Sequence, residues 1–223
     1  MPLTTTRRTG LVEQVIEQLR RSVVDGEWPI GGRIPNETVL AESLGVGRNT
    51  VREAVRALSH AGILEVRQGD GTFVRATSEV SGALRRLCGV ELRHVLQVRR
   101  ALEVEGARLA AVHATPADIA ELRTLLAHRD ACQAGDDNDA FARADAAFHL
   151  AVVRASGNQI LTELYRGLLE AVTASVATTR HKLRWIVDHG QLLDQIAAGQ
   201  AGQAARTAGD LLDDALAAVG SAD

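Results

Sequence analysis

The sequence predicts a mainly α protein in two parts: three short helices with a β-hairpin, then an all-α bundle of six or seven helices. Three observations carry that prediction. Apolar residues recur at helical spacing through most of the 223 residues. The composition holds 46% hydrophobic but only 3% aromatic residues, and cores of Ala, Leu and Val suit helix packed on helix. One stretch reads differently: ILEVRQGDGTFV (63–74) sets Leu64, Val66, Phe73 and Val74 around QGDG, and Asp-Gly between apolar runs marks a hairpin.

The elements follow in order. Leu11, Val15, Ile16, Leu19, Val23 and Val24 give a first helix over about 10–25, and DGEWPIGGRIP (25–35) breaks it with three Gly and two Pro. A second helix over 37–44 starts behind Asn36 or Pro35, with Val39, Leu40 and Leu44 inward. Gly-Val-Gly (45–47) makes a tight turn into a third helix over 48–60, whose stripe is Val51, Ala54, Val55 and Leu58. Ala61-Gly62 closes it, with Gly where a left-handed cap is needed. RATSEVSG (75–82) is polar and weakly patterned, which divides the chain into a domain at 1–75, a linker at 76–83 and a helical domain at 84–223. That second domain reads as helices over 84–88, 91–113, 116–133, 137–155, 158–179, 182–198 and 201–218. Thr115-Pro116 is a good helix start, and Gly157-Asn158 and Gly199 punctuate later ends.

Composition limits the function classes. The formal charge is −3, with 10 Arg against 9 acidic residues in 1–78, so partnership with nucleic acid has to be argued from where the arginines stand. Cys88 and Cys132 make no metal spacing and read as free thiols in a reducing compartment. With no long apolar run and no signal-peptide core, a soluble cytoplasmic protein without membrane contact is expected.

Two short helices joined by Gly-Val-Gly, the second bearing Arg and Asn along one face, describe a helix-turn-helix, and the hairpin makes it winged. Arg48, Asn49, Arg52 and Arg56 lie beside the apolar stripe. In a major groove, Arg grips guanine and Asn grips adenine bidentately, while Thr50 and the free N–H groups of the first turn hold phosphate. Gly69 and Gly71, beside Arg67 and Gln68, let the wing backbone approach a strand. The stretch DGEWPIGGRIPNETVLAESLGVGRNTVREAVRALSHAGILEVRQGDGTFV resembles the winged-helix domain of the GntR family of bacterial repressors, over 11–75. The resemblance implies DNA contacts at Arg48, Asn49, Thr50, Arg52, Gln68 and Gly69, with Thr38 standing where many members carry an Arg. Gly47 replaces a usual Ser or Thr, so the resemblance implies the mode of binding rather than the operator sequence.

In the second half, VRRALEVEGARLAA (98–111) spaces Arg99 and Glu103 as a helix ion pair. DAAFH (145–149) puts Asp145 and His149 one turn apart, a spacing that serves either a divalent metal or a surface or cap pair. His189 can meet them inside a bundle. VRRALE, DAAFH, ASGN (155–158) and DHGQLLDQIAAG (188–199) resemble the FCD ligand-binding domain of the FadR-type branch of the same family, over about 91–215. Many such domains hold a divalent metal with one Asp and three His, and a carboxylate effector takes an open position. Transferred here, that implies Asp145, His149 and His189 as ligands, with Arg99 and Asn158 on the effector. The third histidine falls at Leu211, so Asp210, Asp214 or water has to fill the fourth position, or the site is metal-free. Zn, Mn, Ni and Fe(II) all suit such donors.

The expectation is a homodimeric, ligand-responsive regulator on a pseudo-palindromic operator, a repressor released by a small carboxylate. A metal-dependent enzyme is the alternative, although no separate general base, nucleophile or phosphate loop stands out. A helical module without DNA binding is another.

Overall fold

Helix α1 (Leu11–Val24) turns Val15, Leu19 and Val23 into the protein and leaves Leu11 and Val24 exposed in its end turns. The computed structural model describes residues 10–87, 92–135, 137–176 and 189–220. The chain divides into two compact units, Met1–Arg86 and Leu87–Asp223. Cys88 and the expected start of a helix at 182 lie outside the described residues.

Helix α2 (Glu37–Leu44) starts on Asn36, whose Oδ1 accepts from the Thr38 and Val39 N–H groups at 3.1 and 3.0 Å. It buries Leu40 and Ala41, while Val39, about 100° around the helix from Leu40, faces out and is exposed rather than inward. Gly45 ends α2 with φ 65°, a left-handed turn that costs glycine nothing sterically. The chain then enters α3 (Arg48–His60), which buries Val51, Ala54, Val55 and Leu58 against Val15, Leu19 and Val23.

Strands β1 (Leu64–Arg67) and β2 (Gly71–Val74) pair antiparallel from Leu64↔Val74 to Arg67↔Gly71, leaving Gln68, Gly69 and Asp70 as the loop. Residues 31–34, which the sequence presents only as a break, run along the other edge of β2. Gly31 N–H donates to Val74 O at 2.8 Å, Val74 N–H to Gly32 O at 2.9 Å and Ile34 N–H to Thr72 O at 2.9 Å. Glycine and proline hid this second ladder because neither carries strand propensity.

The stretch expected as a linker at 76–83 is helical from its fourth residue. Helix α4 (Glu79–Leu87) begins behind Ser78, whose Oγ accepts the Ser81 N–H at 3.1 Å. The polar residues that read as loop are therefore a helix cap. Arg20 bridges to Glu79 at 2.6 Å, and Arg85 Nη1 donates to Arg75 O at 2.6 Å. Gly82 lies so close to the end of α3 that a Cβ there would stand 2.7 Å from Gly62 O and 2.8 Å from Ala61 O.

The second unit is helical: α5 (Leu92–His113), α6 (Pro116–Ala134), α7 (Asn138–Arg154), α8 (Gln159–Val176), α9 (Gly190–Ala197) and α10 (Ala201–Gly220). Thr115 and Asp118 form a reciprocal capping box with Pro116 in the first turn of α6, and Asp137 caps α7. Ala107, Ala110, Ala204 and Ala208 let α5 and α10 pack closely, and Phe148, Leu122, Leu192 and Ile196 fill the centre. Gly106 brings α5 onto α7, since a Cβ there would meet Val153 Cγ2 at 2.9 Å. Among the described residues no helix is long and apolar enough to cross a membrane.

The α4 contact is testable. Gly82→Ala would drive a methyl group into two backbone carbonyls that have no rotamer to yield. The first unit is expected to lose about 1–3 kcal/mol, read as a lower urea midpoint despite alanine's better helix propensity.

Candidate functional site

Two groups of side chains stand out, one in each unit. In the first unit, Arg48 and Asn49 are exposed in the opening turn of α3, with Thr50 half-buried beside them. Arg48 makes no ion pair among the described residues. Arg52 is not free: its Nη2 and Nε reach Glu37 Oε2 at 2.8 and 3.0 Å across the turn between α2 and α3. Thr38 is exposed in the first turn of α2, and Gln68 and Gly69 are exposed at the wing tip, where Gly69 has φ 80°. Sequence reasoning missed Arg33. It is exposed and unpaired among the described residues, and its guanidinium lies where a Cβ on Gly71 would meet Nε at 2.5 Å. Its only signal was a lone Arg inside a Gly/Pro stretch, which the residues around it make look like loop.

In the second unit, the i, i+4 spacing on α7 stacks Asp145 and His149 on one inward face, and His189 enters from the start of α9. One candidate ligand atom from each of the three lies within 4.8 Å of the other two. His149 Nε2 and His189 Nε2 are 3.1 Å apart, and Asp145 Oδ1 is 3.8 Å from His149 Nε2. Phe148 closes the site from one side, edge-on to both imidazoles at 5.6 Å. These donors fit a metal: nitrogens each about 2.0–2.1 Å from one ion stand about 3.0–3.4 Å apart.

The other nitrogen of His149 is fixed. His149 Nδ1 lies 2.8 Å from Glu103 Oε2, so a proton on Nδ1 leaves Nε2 directed at the cluster. Glu103 is buried, and its Oε1 accepts from Arg99 Nε at 2.8 Å and from the Tyr165 hydroxyl at 2.6 Å. Burial alone would push the Glu103 carboxyl up, but the Arg99 guanidinium and the His149 ring outweigh it and hold it far below the usual range. Burial disfavours the charged His149 ring, yet the Glu103 and Asp145 carboxylates raise its affinity for a proton above the ordinary value. Asp145 is likewise held low against burial, by His149 and by the hydrogen bond from Arg129. Burial and the neighbouring carboxylate push the Tyr165 hydroxyl well above the ordinary tyrosine value.

The remaining expected residues are placed as follows. Arg99 reaches the Glu103 end of this network, and its Nη2 lies 3.5 Å from the Tyr165 hydroxyl. Asn158 is exposed and caps α8, accepting the Leu161 N–H at 3.1 Å. It stands next to Gly157, which approaches His113, and His113 lies ten residues along α5 from Glu103, a rise of about 15 Å. No hydrogen bond joins Asn158 to the cluster among the described residues, and the helix start uses its amide oxygen. Leu211 is buried in the main core, whereas Asp210 and Asp214 point to solvent. Neither carboxylate replaces the missing histidine, since α10 turns its Ala204, Ala208, Leu211, Leu212 row inward. Sequence reasoning also missed Arg129, Tyr165 and the approach of Glu103 to His149. Arg129 Nε donates to Asp145 Oδ1 at 2.7 Å.

Residues 11–74 match the family described as "Bacterial regulatory proteins, gntR family", and residues 94–214 match the FCD domain. The chain is 30% identical over 196 residues to the HTH-type transcriptional regulator LutR of Bacillus subtilis (strain 168), covering 82% of this chain and 89% of LutR. It is 32% identical over 186 residues to the Glc operon transcriptional activator of Escherichia coli (strain K12), covering 79% of this chain and 72% of that protein. Among solved structures it is similar to Streptococcus agalactiae GntR, at 28% identity and a TM-score of 0.52, over 92% of this chain and 99% of that one.

The Glu103 network predicts its own test. Tyr165→Phe removes a hydrogen bond to a buried carboxylate at almost constant volume, and is expected to cost about 1.5–3 kcal/mol in denaturant unfolding. A change within a few tenths would mean the hydroxyl does not support Glu103.

Proposed function

This chain belongs to the gntR family of bacterial regulatory proteins and carries an FCD domain, and from that we propose a FadR-type repressor that a small carboxylate releases from its operator. It is a ligand-responsive, DNA-binding regulator of transcription and not an enzyme. Its partners are operator DNA and a small-molecule effector. The observation that carries the finer reading is the meeting of Asp145, His149 and His189 in the interior of the effector-binding half.

In this reading the three side chains hold one divalent ion, Zn, Mn, Ni or Fe(II), and Leu211 leaves it short of a fourth protein ligand. Bound there, the ion supplies a Lewis-acidic position for a carboxylate oxygen. His149 and His189 direct Nε2 at it, and Glu103 keeps His149 in the right tautomer. Arg99 is the carboxylate clamp. Its Nε is held by Glu103 and its Nη1 has no hydrogen-bond partner among the described residues, so a donor remains for the effector. On the DNA side, Arg48 and Asn49 read base edges, Thr50, Thr38, Gln68 and the Gly69 backbone position the strand, and Arg52 exchanges Glu37 for DNA. An exposed ion pair of that kind is weak enough to exchange. Two copies bind one pseudo-palindrome as a homodimer, because symmetric half-sites pair with two-fold proteins. Effector acts by favouring one arrangement of the dimer over the other. The Glc operon relative is named an activator, so the sign of regulation is the part that experiment decides.

Operator affinity measured by fluorescence anisotropy, on duplexes selected by the protein itself, tests the reading. Arg48→Ala is expected to lose about 1–3 kcal/mol of binding and to relax preference at one base position. A panel of small carboxylic acids is expected to weaken operator binding only when metal is present, and a chelator to abolish the response. Unchanged affinity at saturating acid would sink the repressor-release mechanism.

A further inference from the structure

Arg129 reaches the cluster from α6 and supplies none of its candidate ligand atoms. Its side chain is 1% exposed, although α6 presents mostly polar residues around it. Nε donates to Asp145 Oδ1 at 2.7 Å, Nη1 donates to Asp130 Oδ1 at 3.0 Å, and the guanidinium carbon stands 5.1 Å from the centre of the Phe141 ring. The oxygen it holds is the one 3.8 Å from His149 Nε2. A buried arginine so anchored is positioned by packing as well as by charge.

The charges within the cluster already balance. Arg99 and Arg129 oppose Glu103 and Asp145 one for one, and the exposed Asp130 shares the outer edge of the Arg129 guanidinium. A site whose carboxylate waits for a divalent cation would carry excess negative charge without one. Here a fixed guanidinium already occupies one side of that carboxylate. Two cations on one oxygen repel, and low surrounding polarity strengthens the repulsion.

We propose that Arg129 is a resident cation that competes with metal for Asp145, keeping the effector site assembled without metal and making metal binding weak until an anionic effector offsets the added charge. This rests on the metal reading of Asp145, His149 and His189 given above. Arg129 is a positioning and tuning residue and touches neither metal nor effector.

Titration calorimetry with Zn(II) and with Mn(II), on the full chain first freed of metal, separates the possibilities. Arg129→Gln can still donate to Asp145 without the charge, Arg129→Met removes both, and Arg129→Lys keeps the charge. Charge competition predicts that the Gln and Met variants bind metal at least about tenfold tighter than the natural protein, opposite in sign to the loss that removing a partner which merely orients a ligand causes. The Lys variant should stay within a few fold of it. The metal-free Met variant should also melt lower, because Asp145 loses its partner, and recover with metal. Equal or weaker binding by the Gln and Met variants, with the natural protein binding metal, would overturn the role of Arg129 and leave the metal site standing. If neither the natural protein nor any variant takes up either ion, the metal reading falls, and this inference with it.

Discussion

A carboxylate without access to water has to be met on every side, and Glu103 imposes that constraint on the helical unit. It receives Arg99 from its own helix, Tyr165 from α8 and His149 from α7. Removing the charged partner of such a buried ion typically costs about 3–5 kcal/mol, because the charge left behind is stranded. The three helices are therefore committed to one register, and that register directs His149 Nε2 toward His189. Gly106 makes the meeting geometrically possible. It stands one turn beyond Glu103 and lies against Val153, one turn beyond His149, so close contact of the two backbones sets the reach of the two side chains.

Much of this was legible in the sequence where local rules govern. The i, i+4 pair at Asp145 and His149, the Asn36 and Thr115 starts and the Gly45 turn each follow from the chemistry of a few adjacent residues. The edge ladder at 31–34 was not legible, because its hydrogen bonds belong to the backbone and its residues are those of a turn. Glu103 was visible only as a helical partner of Arg99. Its bond to His149 depends on a glycine that signals helix-breaking when read alone. Arg129 was hidden most completely. Nothing in AHRDA distinguishes a buried arginine from a solvated one, since the partner that justifies its burial lies sixteen residues away on the next helix.

The DNA-reading unit shows the same division between local pattern and tertiary outcome. The Arg-rich face of α3 is where its periodicity puts it, yet its arginines are not equivalent. Arg48 has no carboxylate partner among the described residues, Arg52 is paired across the turn with Glu37, and Arg56 is paired along the helix with Glu53 at 2.9 Å. A net charge near zero in this region is thus no argument against nucleic acid, because the acidic residues are used to hold particular guanidinium groups. Arg33 adds a cation next to β2 with no ion pair among the described residues, in a unit whose α2 carries Thr38 in its first turn. Electrostatic attraction to phosphate follows from where free cations stand rather than from their sum.

The place of Leu211 in the proposed metal reading follows from the way α10 packs. A polar group at that position would have to be buried among Phe148, Leu192 and Leu193, and would require a partner to offset its desolvation. Leucine there makes α10 part of the core, and its hold on α5 comes from apolar contact and from the Arg100–Asp213 pair at 2.7 Å. In the proposed metal reading, ligation would then concern α7 and the start of α9 among the described residues. With α10 held by its own apolar row, an ion proposed at Asp145, His149 and His189 could come and go without dissolving the bundle. That is the property a sensor needs, since a site on which the fold itself depended could not be emptied and filled as a signal.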